Sequence, residues 1–566
     1  MRAIVYQINS KYIHSSLAAW YLFAAAREWS EDCECSVLEG SINESDDVLL
    51  ERVITTDARA VGFCTYIWNV DKVLAIAERI KAHDPEVKII LGGPEVAYRQ
   101  KQVLMTYPFV DYVISGEGEV PFSRLLSSIS HGTCERIEGV SMRNGEEYTV
   151  SAPYEMQCDP PTPYTDEYFS ALKSRISYIE TSRGCPFSCA YCLSCTQKLR
   201  FFDVERSKRE ILLLANSKSK TVKFVDRTFN ANKKRAVDIL SFILEKRRCG
   251  DIPSDVTFHF EISGELVDGE LARIVKDAPA GLFQFEIGVQ SFNEDTLRAI
   301  NRKTDIKKLC SAIKELSSYS SAHIHTDLIA GLPFEDIESF RASYNKLYSL
   351  GSHKIQLGFL KLLHGSDMRE DPQLYPCEYE SRAPYRVKST PWLSEDDLCE
   401  LEFAERANDG VFFSSRFDRT VSYLLDSCGT DPYSLAYKLG RELYCGGTPP
   451  LDSLFDMLYG AACKMDGVDA MRLRDIMLYD RIAHNNSCVI PKSLKVKDAR
   501  LKKYSDHLKN RYPLRAGVRR CIGILYTEDK VIFADYENMH PVTERYPVRE
   551  IDISTIEEEL CERNED

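Results

Sequence analysis

Four cysteines stand within eleven residues in the stretch CPFSCAYCLSC, at positions 185, 189, 192 and 195. Clustered thiolates are typical metal ligands, and four would close a site where three would leave one position open. Structural zinc usually takes two C-x2-C pairs separated by a longer loop, and Cys185-x3-Cys189-x2-Cys192 does not follow that spacing. Three cysteines in one short loop instead suit three irons of a [4Fe–4S] cluster, whose fourth iron stays open.

The composition limits the remaining possibilities. A chain of 566 residues is too long for one hydrophobic core and predicts about three domains. No apolar run approaches the ~20 residues that span a bilayer, and the N-terminus lacks the pattern of a signal peptide. The lack of such a run predicts no membrane partner. Most of the 19 cysteines are scattered singly, and without a secretion signal this favours a reducing cytoplasm. The net charge of −14 gives no support for a chain-wide nucleic-acid surface.

The cysteines must be positioned by the elements around them, and the first predicted domain, residues 1–135, lies upstream. Five strand-like runs alternate there with helical runs, from RAIVYQIN to EVPFSRLLSSI. This alternation predicts a doubly wound, Rossmann-like parallel sheet, which binds ligands at the carboxyl ends of its strands.

The predicted loops at those strand ends carry glycines and aromatic side chains, and none follows the dinucleotide pattern G-x-G-x-x-G. Ordinary turn chemistry would explain them as well as ligand binding would. The candidate residues are Asn9, Lys11, Tyr12, His14, Ser15, Thr65, Tyr66, Ile67, Trp68, Asn69, Gly92, Gly93, Pro94, Glu95, Gly116, Glu117, Gly118 and Glu119.

Three further regions follow in the α/β chain. Residues 136–175 indicate a linker with a hairpin turn at Asn144-Gly145. Residues 176–365 contain six strand–helix units, which predict a partial (β/α)6 barrel with its chemistry at the C-terminal mouth. The cysteines come directly after the first of these strands. Residues 366–566 are predicted to be mostly helical, with the terminal strands RRCIGILYT and KVIFADYE.

The stretch SRGCPFSCAYC after the first barrel strand strongly resembles the radical SAM superfamily. That resemblance implies that Cys185, Cys189 and Cys192 bind three irons, while the open iron chelates S-adenosylmethionine. One electron, supplied by an external donor such as flavodoxin or ferredoxin, would cleave the sulfonium and yield a 5′-deoxyadenosyl radical. Cys195 would then be surplus: we expect a small apolar residue that points into the following helix, with a redox or substrate-side role as the alternative.

The other motifs of that superfamily fit this chain unevenly. Many members carry Gly-Gly-Glu after the second strand, where this chain has Asp226 and Thr228 as alternatives. FEIGVQSFNEDTL and HTDLIAGLPFED resemble the fourth-strand and fifth-strand segments, although a buried Glu286 would equally suit an ion pair. The S-adenosylmethionine-binding residues implied by the resemblance are Tyr191, Asp226, Thr228, Glu261, Ser263, Glu286, Gln290, Ser291 and Gly331.

A doubly wound domain directly before such a barrel resembles the cobalamin-binding radical SAM class, in a subgroup with an uncharacterised C-terminal accessory domain. The loop residues given above then become cobalamin-binding residues. Cobalamin proteins with Asp-x-His-x-x-Gly ligate cobalt from below through that histidine, but His14 here lacks the aspartate and the glycine. We therefore expect no protein imidazole below the cobalt, with Tyr12, Tyr66 and Trp68 packing near the ring.

That class resemblance implies methylation of an unactivated carbon. One S-adenosylmethionine would methylate Co(I), and a second would give the radical that abstracts hydrogen from the substrate, which then takes methyl from methylcobalamin. Some members catalyse cyclisation or rearrangement instead, and the fold does not decide between them. A tRNA methylthiotransferase-like enzyme is a further alternative, although Cys33, Cys35 and Cys64 do not have convincing spacing for its second cluster.

The substrate is indicated only by one basic run. Residues 492–520 hold eleven Lys and Arg against two Asp, with Tyr504 and Tyr512 between them. Such a run suits phosphate contacts and base stacking, which would make the substrate a tRNA or another anionic molecule. A solvated helix on an acidic protein is the competing interpretation.

Overall fold

The computed structural model describes residues 1–133, 135–145 and 147–562. The chain divides into two compact units. The first comprises Met1–Ile274, Arg298–Lys303 and Leu360–Thr390, and the second comprises Val275–Leu297, Thr304–Phe359 and the chain from Pro391 onward.

The first unit begins with a seven-stranded sheet in the order 2-1-3-4-5-6-7, in which strands 1 to 5 are parallel. This confirms the predicted doubly wound domain. The hairpin predicted in the linker pairs antiparallel with strand 5 and so extends this same sheet. The strands are β1 (Arg2–Asn9), β2 (Glu34–Ser41), β3 (Ala60–Cys64), β4 (Lys88–Gly92), β5 (Tyr112–Ile114), β6 (Val140–Asn144) and β7 (Glu147–Thr149).

Helices pack on both faces of this sheet. Alternate residues of β1 enter opposite cores, with Ile4 and Tyr6 on one face and Ala3 and Val5 on the other. Successive strand residues point to opposite faces, so a sheet covered on both sides needs unbroken apolar strands. The helices are α1 (Ala18–Trp29), α2 (Asp46–Ile54), α3 (Val70–His83), α4 (Pro94–Ala97), α5 (Gln100–Thr106) and α6 (Glu119–His131).

The first unit continues with three parallel strands, β8, β11 and β12, and with the short antiparallel pair β9 and β10. Asn232 caps the longest of its helices by accepting from the amide of Arg235, which satisfies a free N-terminal donor. These elements are α7 (Asp166–Leu172), β8 (Ser177–Ile179), β9 (Ser182–Arg183), β10 (Arg200–Phe201), α8 (Val204–Ala215), β11 (Thr221–Phe224), α9 (Lys233–Cys249), β12 (Thr257–Ile262) and α10 (Gly269–Lys276).

Three more parallel strands, β13 to β15, lie in the second unit with helices between them. All six strands predicted for the barrel are therefore found, in the predicted order. The elements are β13 (Phe283–Gln290), α11 (Glu294–Ala299), α12 (Ile306–Ser317), β14 (Ala322–Ala330), α13 (Ile337–Ser349) and β15 (Lys354–Phe359). The chain then returns to the first unit with α14 (Asp367–Glu370), β16 (Glu378–Tyr379) and β17 (Val387–Ser389).

The C-terminal region is mostly helical and ends in strands, as predicted, but it adds a third strand and a last helix that the sequence pattern did not indicate. Its antiparallel sheet has the order 18-19-20. The elements are α15 (Glu395–Ala407), α16 (Asp418–Cys428), α17 (Pro432–Tyr444), α18 (Leu451–Ala462), α19 (Ala470–His484), α20 (Arg500–Arg511), β18 (Arg520–Leu525), β19 (Lys530–Asp535), β20 (Val548–Asp552) and α21 (Ile553–Glu562). Among the described residues we find no helix that is both long and apolar enough to cross a bilayer.

Candidate functional site

The cysteine loop runs from β9 to β10, whose pairing brings Arg183 opposite Arg200 and so closes the loop at its base. Gly184 opens the loop with a φ of +86°, and a Cβ at this position would lie 2.5 Å from the carbonyl oxygen of Lys198. Only glycine fits there without strain. Inside the loop, the amide of Cys192 donates to the carbonyl of Cys189 at 3.0 Å. The sequence thus folds into a tight turn that carries the three cysteines.

The sequence suggested that Cys195 is a small apolar residue pointing into a following helix, and this prediction is wrong. It lies in a 3-10 turn, and its half-buried thiol donates to the carbonyl oxygen of Cys192 at 2.9 Å. Burial raises the pKa of this thiol to about 11, so it stays protonated at neutral pH. Cys195 therefore supports the turn through a hydrogen bond.

Arg302 reaches the cysteine loop, and sequence reasoning missed it. Its Nη1 lies 3.8 Å from Sγ of Cys189. Burial raises the pKa of the Cys189 thiol, while the Arg302 guanidinium and a hydrogen bond with Tyr191 lower it. A thiolate at Cys189 is therefore supported by a cation and a hydroxyl. No spacing rule links two residues 113 positions apart.

Asp226 and Thr228 follow β11 and differ in their surroundings. Both carboxylate oxygens of Asp226 already accept bonds, from the amide of Thr181 at 2.9 Å and its hydroxyl at 2.7 Å, and from the hydroxyl of Ser182. Burial raises the pKa of Asp226 to about 6. The hydroxyl of Thr228 lies 3.5 Å from Sγ of Cys185. Thr228 thus faces the cysteines, whereas Asp226 fixes the strand that leads into them.

Ser263 and Glu261 lie at the end of β12. Asn230, which the sequence interpretation overlooked, clamps the backbone of Ser263 through two hydrogen bonds of 2.9 Å. The buried hydroxyl of Ser263 has no hydrogen-bond partner in the described part of the chain. Glu261 lies 3.7 Å from Arg227. Because buried polar groups are normally paired, the Ser263 hydroxyl is available for a hydrogen bond with a ligand or a water molecule.

The second unit holds the four other residues predicted to bind S-adenosylmethionine. Gln290 ends β13 with a φ of +71°, unusual for a residue with a side chain, and its buried Oε1 finds no partner among the described residues. Strain and an orphaned polar atom together are typical of a ligand site. Ser291 donates to the buried Glu335, Glu286 is half-buried in β13, and Gly331 turns the chain after β14 with a φ of +94°.

Thr65 and the glycine pair after β4 form the tightest approach in the N-terminal domain. The amide of Thr65 donates to the carbonyl of Gly92 at 2.7 Å, and its hydroxyl does so at 2.6 Å. Gly93 has a φ of +115°, and a Cβ there would lie 2.4 Å from the carbonyl oxygen of Thr65. The glycines are needed because two strand ends touch here.

Tyr66 and Trp68 form a flat aromatic pair after β3, with ring centroids 4.4 Å apart and planes inclined by 5°. Trp68 is 44% exposed, and Ile67 between them is half-buried. Asn69 is buried and holds the loop, since its amide donates to the carbonyl of Ile8 at 2.8 Å. The pair is thus presented at the strand ends while Asn69 fixes its support.

The loop after β1 is anchored to the first barrel strand. Nδ1 of His14 lies 2.6 Å from the hydroxyl of Tyr178, and Ser15 donates to the carbonyl of Ile176 at 2.8 Å. Burial lowers the pKa of His14. Asn9 is buried at the end of β1, and its carbonyl accepts from Ile42. Lys11 and Tyr12 are exposed.

The three glutamates predicted to bind cobalamin are all buried and paired within the protein. Glu95 follows Pro94 at the start of α4, accepts from the hydroxyl of Tyr385, and pairs with Arg99 at 2.8 Å. Burial raises its pKa. Glu117 and Glu119, with Gly116 and Gly118, lie after β5, where both carboxylates pair with Arg183. Their charges therefore serve contacts inside the protein.

Between these strand ends and the cysteine loop lies a cavity of about 440 Å³. The N-terminal domain contributes most of its apolar lining together with Glu117 and Glu119, and the segments around β9 and β11 contribute Glu180, Arg183 and Arg227. Among the lining residues are Leu22, Gly62, Tyr66, Gly92, Phe122, Arg183 and Arg227. A second cavity of about 330 Å³ lies beside it and includes Asn9, His14, Ser15, Tyr66, Trp68 and Tyr178.

A parallel sheet with glycine-lined strand ends, facing a cysteine loop on a second parallel sheet, defines a class of α/β proteins built for two cofactors. Family comparisons assign both halves. Residues 4–126 match the family model of the B12 binding domain, and residues 179–347 match that of the Radical SAM superfamily. Residues 373–528 match the family model described as protein of unknown function (DUF4080). The chain therefore carries the two domains, B12-binding and radical SAM, that together characterise cobalamin-binding radical SAM proteins. Its two matched cofactor domains imply a [4Fe–4S] cluster, S-adenosylmethionine and cobalamin.

Individual proteins agree with this assignment. Over 315 residues the chain is 29% identical to 2-(S-pantetheinyl)-carbapenam-3-carboxylate methyltransferase of Streptantibioticus cattleyicolor, covering 53% of this chain and 46% of that protein. Over 449 residues it is 26% identical to the cobalamin-dependent radical SAM methyltransferase TokK of Streptomyces tokunonensis, covering 76% and 65%. The chain thus spans about half to two thirds of these relatives.

The fold is similar to that of a solved structure, the cobalamin-dependent S-adenosylmethionine radical enzyme OxsB with aqua-cobalamin and S-adenosylmethionine bound. The TM-score is 0.55 at 14% identity, covering 84% of this chain and 78% of that chain. This likeness concerns the fold alone.

Proposed function

We propose that this chain is a cobalamin-dependent radical SAM enzyme that methylates an unactivated carbon of its substrate. When bound, the cluster and S-adenosylmethionine supply a 5′-deoxyadenosyl radical, and cobalamin supplies the methyl group. The observation that carries the proposal is the cavity of about 440 Å³, which B12-binding strand ends and the cysteine loop line together. The two relatives described above are named as methyltransferases.

Cys185, Cys189 and Cys192 hold three irons, and Cys195 takes no part in ligation. The Arg302 guanidinium, 3.8 Å from Cys189, offsets the negative charge of the thiolates. Closure of the loop by β9 and β10 places all three thiols in one short turn. In this proposal an external donor such as flavodoxin or ferredoxin supplies the electron to the cluster, and the protein works in a reducing cytoplasm.

S-adenosylmethionine is bound by the groups whose hydrogen bonds the protein leaves open. Ser263 Oγ and Gln290 Oε1 are such groups, and Thr228 is the candidate beside Cys185. Asp226 and Ser291 act one step away, because their polar atoms already accept from or donate to neighbouring side chains. We therefore assign the methionine amino group to Thr228 rather than to Asp226. The remaining predicted residues, Tyr191, Glu261, Glu286 and Gly331, keep their expected roles in this proposal.

Cobalamin lies against the strand ends of the N-terminal domain, where the glycines leave room for a bulky ligand. His14 is not a ligand of the cobalt in this proposal. The loop around it lacks the aspartate and the glycine of the Asp-x-His-x-x-Gly pattern, and its Nδ1 lies 2.6 Å from the Tyr178 hydroxyl, which ties the imidazole to the first barrel strand. The stacked Tyr66 and Trp68 provide a flat apolar surface for the ring.

The basic run keeps exposed lysines that could contact an anionic substrate, but its two tyrosines do not stack on bases in this proposal. Tyr504 is buried in the C-terminal core and does not stack on a base, and Tyr512 packs against Phe533. Arg511 and Arg520 are ion-paired with Glu559 and Asp535. Lys509 is exposed but pairs with Asp506 at 3.3 Å. An anionic substrate, tRNA included, would rely on the other five exposed lysines of the basic run: Lys492, Lys495, Lys497, Lys502 and Lys503.

Anaerobic reconstitution tests the proposal. We expect about four irons and one corrinoid per chain, and release of 5′-deoxyadenosine with S-adenosylmethionine and a strong reductant. Variants Cys185→Ala, Cys189→Ala and Cys192→Ala should lose this release, and Cys195→Ala is the matched control. About eight irons without corrinoid would favour the methylthiotransferase alternative. An affinity for tRNA that does not change with salt concentration would exclude the lysines as its binding site.

A further inference from the structure

Arg183 lies one residue before Gly184, at the junction of the cysteine loop and the B12-binding domain. Its side chain is 14% exposed and touches three carboxylates. Nη1 donates to Glu117, Nη2 donates to Glu119 at 2.9 Å, and Nε and Nη2 donate to Glu180 at 3.0 and 2.8 Å. A guanidinium used on every side has one allowed position and orientation.

A second arginine completes the arrangement from the other end of the loop. Nη2 of Arg200 donates to Oε2 of Glu117 at 2.8 Å, and its Nη1 lies 3.3 Å from Oε1. Arg183 belongs to β9 and Arg200 to β10, so both ends of the cysteine loop are tied to one carboxylate. We call these five residues, Arg183, Arg200, Glu117, Glu119 and Glu180, the arginine node.

The acids of the arginine node are themselves fixed from the B12-binding side. Gly116 has a φ of +82°, and a Cβ there would meet the carbonyl oxygen of Tyr154 at 2.3 Å. The amide of Glu117 donates to that carbonyl at 2.8 Å, and the amide of Met156 donates to the Glu117 carboxylate at 3.2 Å. Glu119 is the first residue of α6. The node therefore joins two rigid supports.

The arginine node is better explained by positioning than by stability. Three carboxylates face two guanidinium groups, and the desolvation of buried charges offsets most of their attraction. Apolar side chains of similar size would stabilise the fold at least as well. What the ion pairs add is direction, because each donor must meet its acceptor in line. The same side chains, Arg183, Glu117 and Glu119, line the cavity of about 440 Å³.

We infer that Arg183 is a positioning residue that locks the cysteine loop onto the carboxyl end of the B12-binding sheet and so fixes the two cofactors relative to each other. This inference rests on the proposed function. Glu117 and Glu119 then hold the cysteine loop and do not contact cobalamin through their carboxylates. The segment after β5 contributes its glycines to the cavity and its acids to the lock.

The variant that tests this is Arg183→Met, which keeps the length of the side chain and removes its donors. Arg183→Lys keeps the charge but not the planar fork. The matched control is Arg206→Met. Arg206 is 15% exposed and stands 5.7 Å from the Phe202 ring, as Arg183 does at 5.8 Å, but it donates to Glu210 and not to the node.

The first measurement is hydrogen exchange on the chain without cofactors, so it does not depend on the proposed function. Arg183→Met should speed exchange roughly tenfold in two separate segments, residues 182–201 and 115–120. Arg206→Met should affect α8 and leave both segments unchanged. Unchanged exchange in residues 115–120 of Arg183→Met would overturn the lock.

The second measurement is pulsed electron paramagnetic resonance on the loaded protein, with the cluster reduced and the cobalt as Co(II). We expect a narrow distribution of cluster–cobalt distances in the wild type and in Arg206→Met, a width about twofold larger in Arg183→Met, and an intermediate width in Arg183→Lys. An unchanged width at full iron and corrinoid content would overturn the inference.

Two further outcomes are distinguishable. A wild type that binds no corrinoid would refute the proposed function, and hydrogen exchange alone would then decide the lock. If Arg183→Met does not load the cluster, Glu119→Met takes its place, because this variant removes the oxygen that accepts from Nη2 of Arg183 and leaves Arg183 itself intact. A wild-type width in Glu119→Met would then count against the inference.

Discussion

Replacing Arg302 by methionine should lower the reduction potential of the cluster proposed for the cysteine loop. A cation beside a ligating sulfur stabilises the added electron. With Nη1 3.8 Å from Sγ of Cys189 and an effective dielectric constant of about 20, two unit charges interact by about 4 kcal/mol. The electron is spread over the whole cluster, which reduces the effect to roughly 1.5–3 kcal/mol, or roughly 60–130 mV for one electron.

The assay is a redox titration followed by electron paramagnetic resonance, in the absence of S-adenosylmethionine. Arg302→Lys keeps the charge and should shift the potential by less than about 30 mV. Lys303→Met removes a neighbouring exposed charge, whose effect water and salt screen. An Arg302→Met protein with full iron content and a potential within about 20 mV of the wild type would refute the reasoning, as would a shift to higher potential.

Three other predictions concern the loop and its supports. Cys195→Ala should retain the full iron content, because its thiol serves a carbonyl, and a loss of a quarter of the iron would mean that it is a ligand. Gly93→Ala should lower the free energy of unfolding by roughly 2–4 kcal/mol in a denaturant titration, because the new Cβ would meet Thr65. The control Gly132→Ala should lose only about 1 kcal/mol, since Gly132 has a positive φ but open space around it. Equal losses would contradict the contact with Thr65. Burial raises the pKa of Asp226 from 3.8 to about 6, so the unfolded chain releases this proton at a lower pH than the folded chain. The free energy of unfolding of the cofactor-free protein should therefore fall by up to roughly 3 kcal/mol as the pH rises from 4 to 6. An equally steep fall in Asp226→Asn would assign the loss to other groups.

What the sequence predicted well was local. The strands of both parallel sheets were found because a buried strand is apolar along its whole length, and the run from Cys185 to Cys192 stood out because its spacing lies within one loop. The glycine-bearing turns followed from the same alternation of strand and helix.

What the sequence did not reveal depends on contacts between distant residues. Arg302 lies 113 residues from Cys189, and Arg183 lies 66 residues from Glu117. No sequence periodicity connects residues so far apart, so the contacts of Arg302 and Arg183 could not be predicted from the sequence. For the same reason, Glu117 and Glu119 were expected to bind cobalamin by residue type and position alone, whereas the structure shows that their carboxylates already have partners.

These pairings determine the character of the proposed cobalamin surface. Glu95, Glu117 and Glu119, the three acids at its strand ends, are each buried and each matched by an arginine. The surface left for a ligand is therefore made of glycine backbone, the stacked Tyr66 and Trp68, and apolar side chains. Such a wall favours shape and backbone hydrogen bonds over charge, which suits a large ring whose edge carries neutral amides. The charges of Glu117 and Glu119 act on the cysteine loop instead. In the proposed function, the segment after β5 would therefore both make room for cobalamin and orient the loop that holds the cluster.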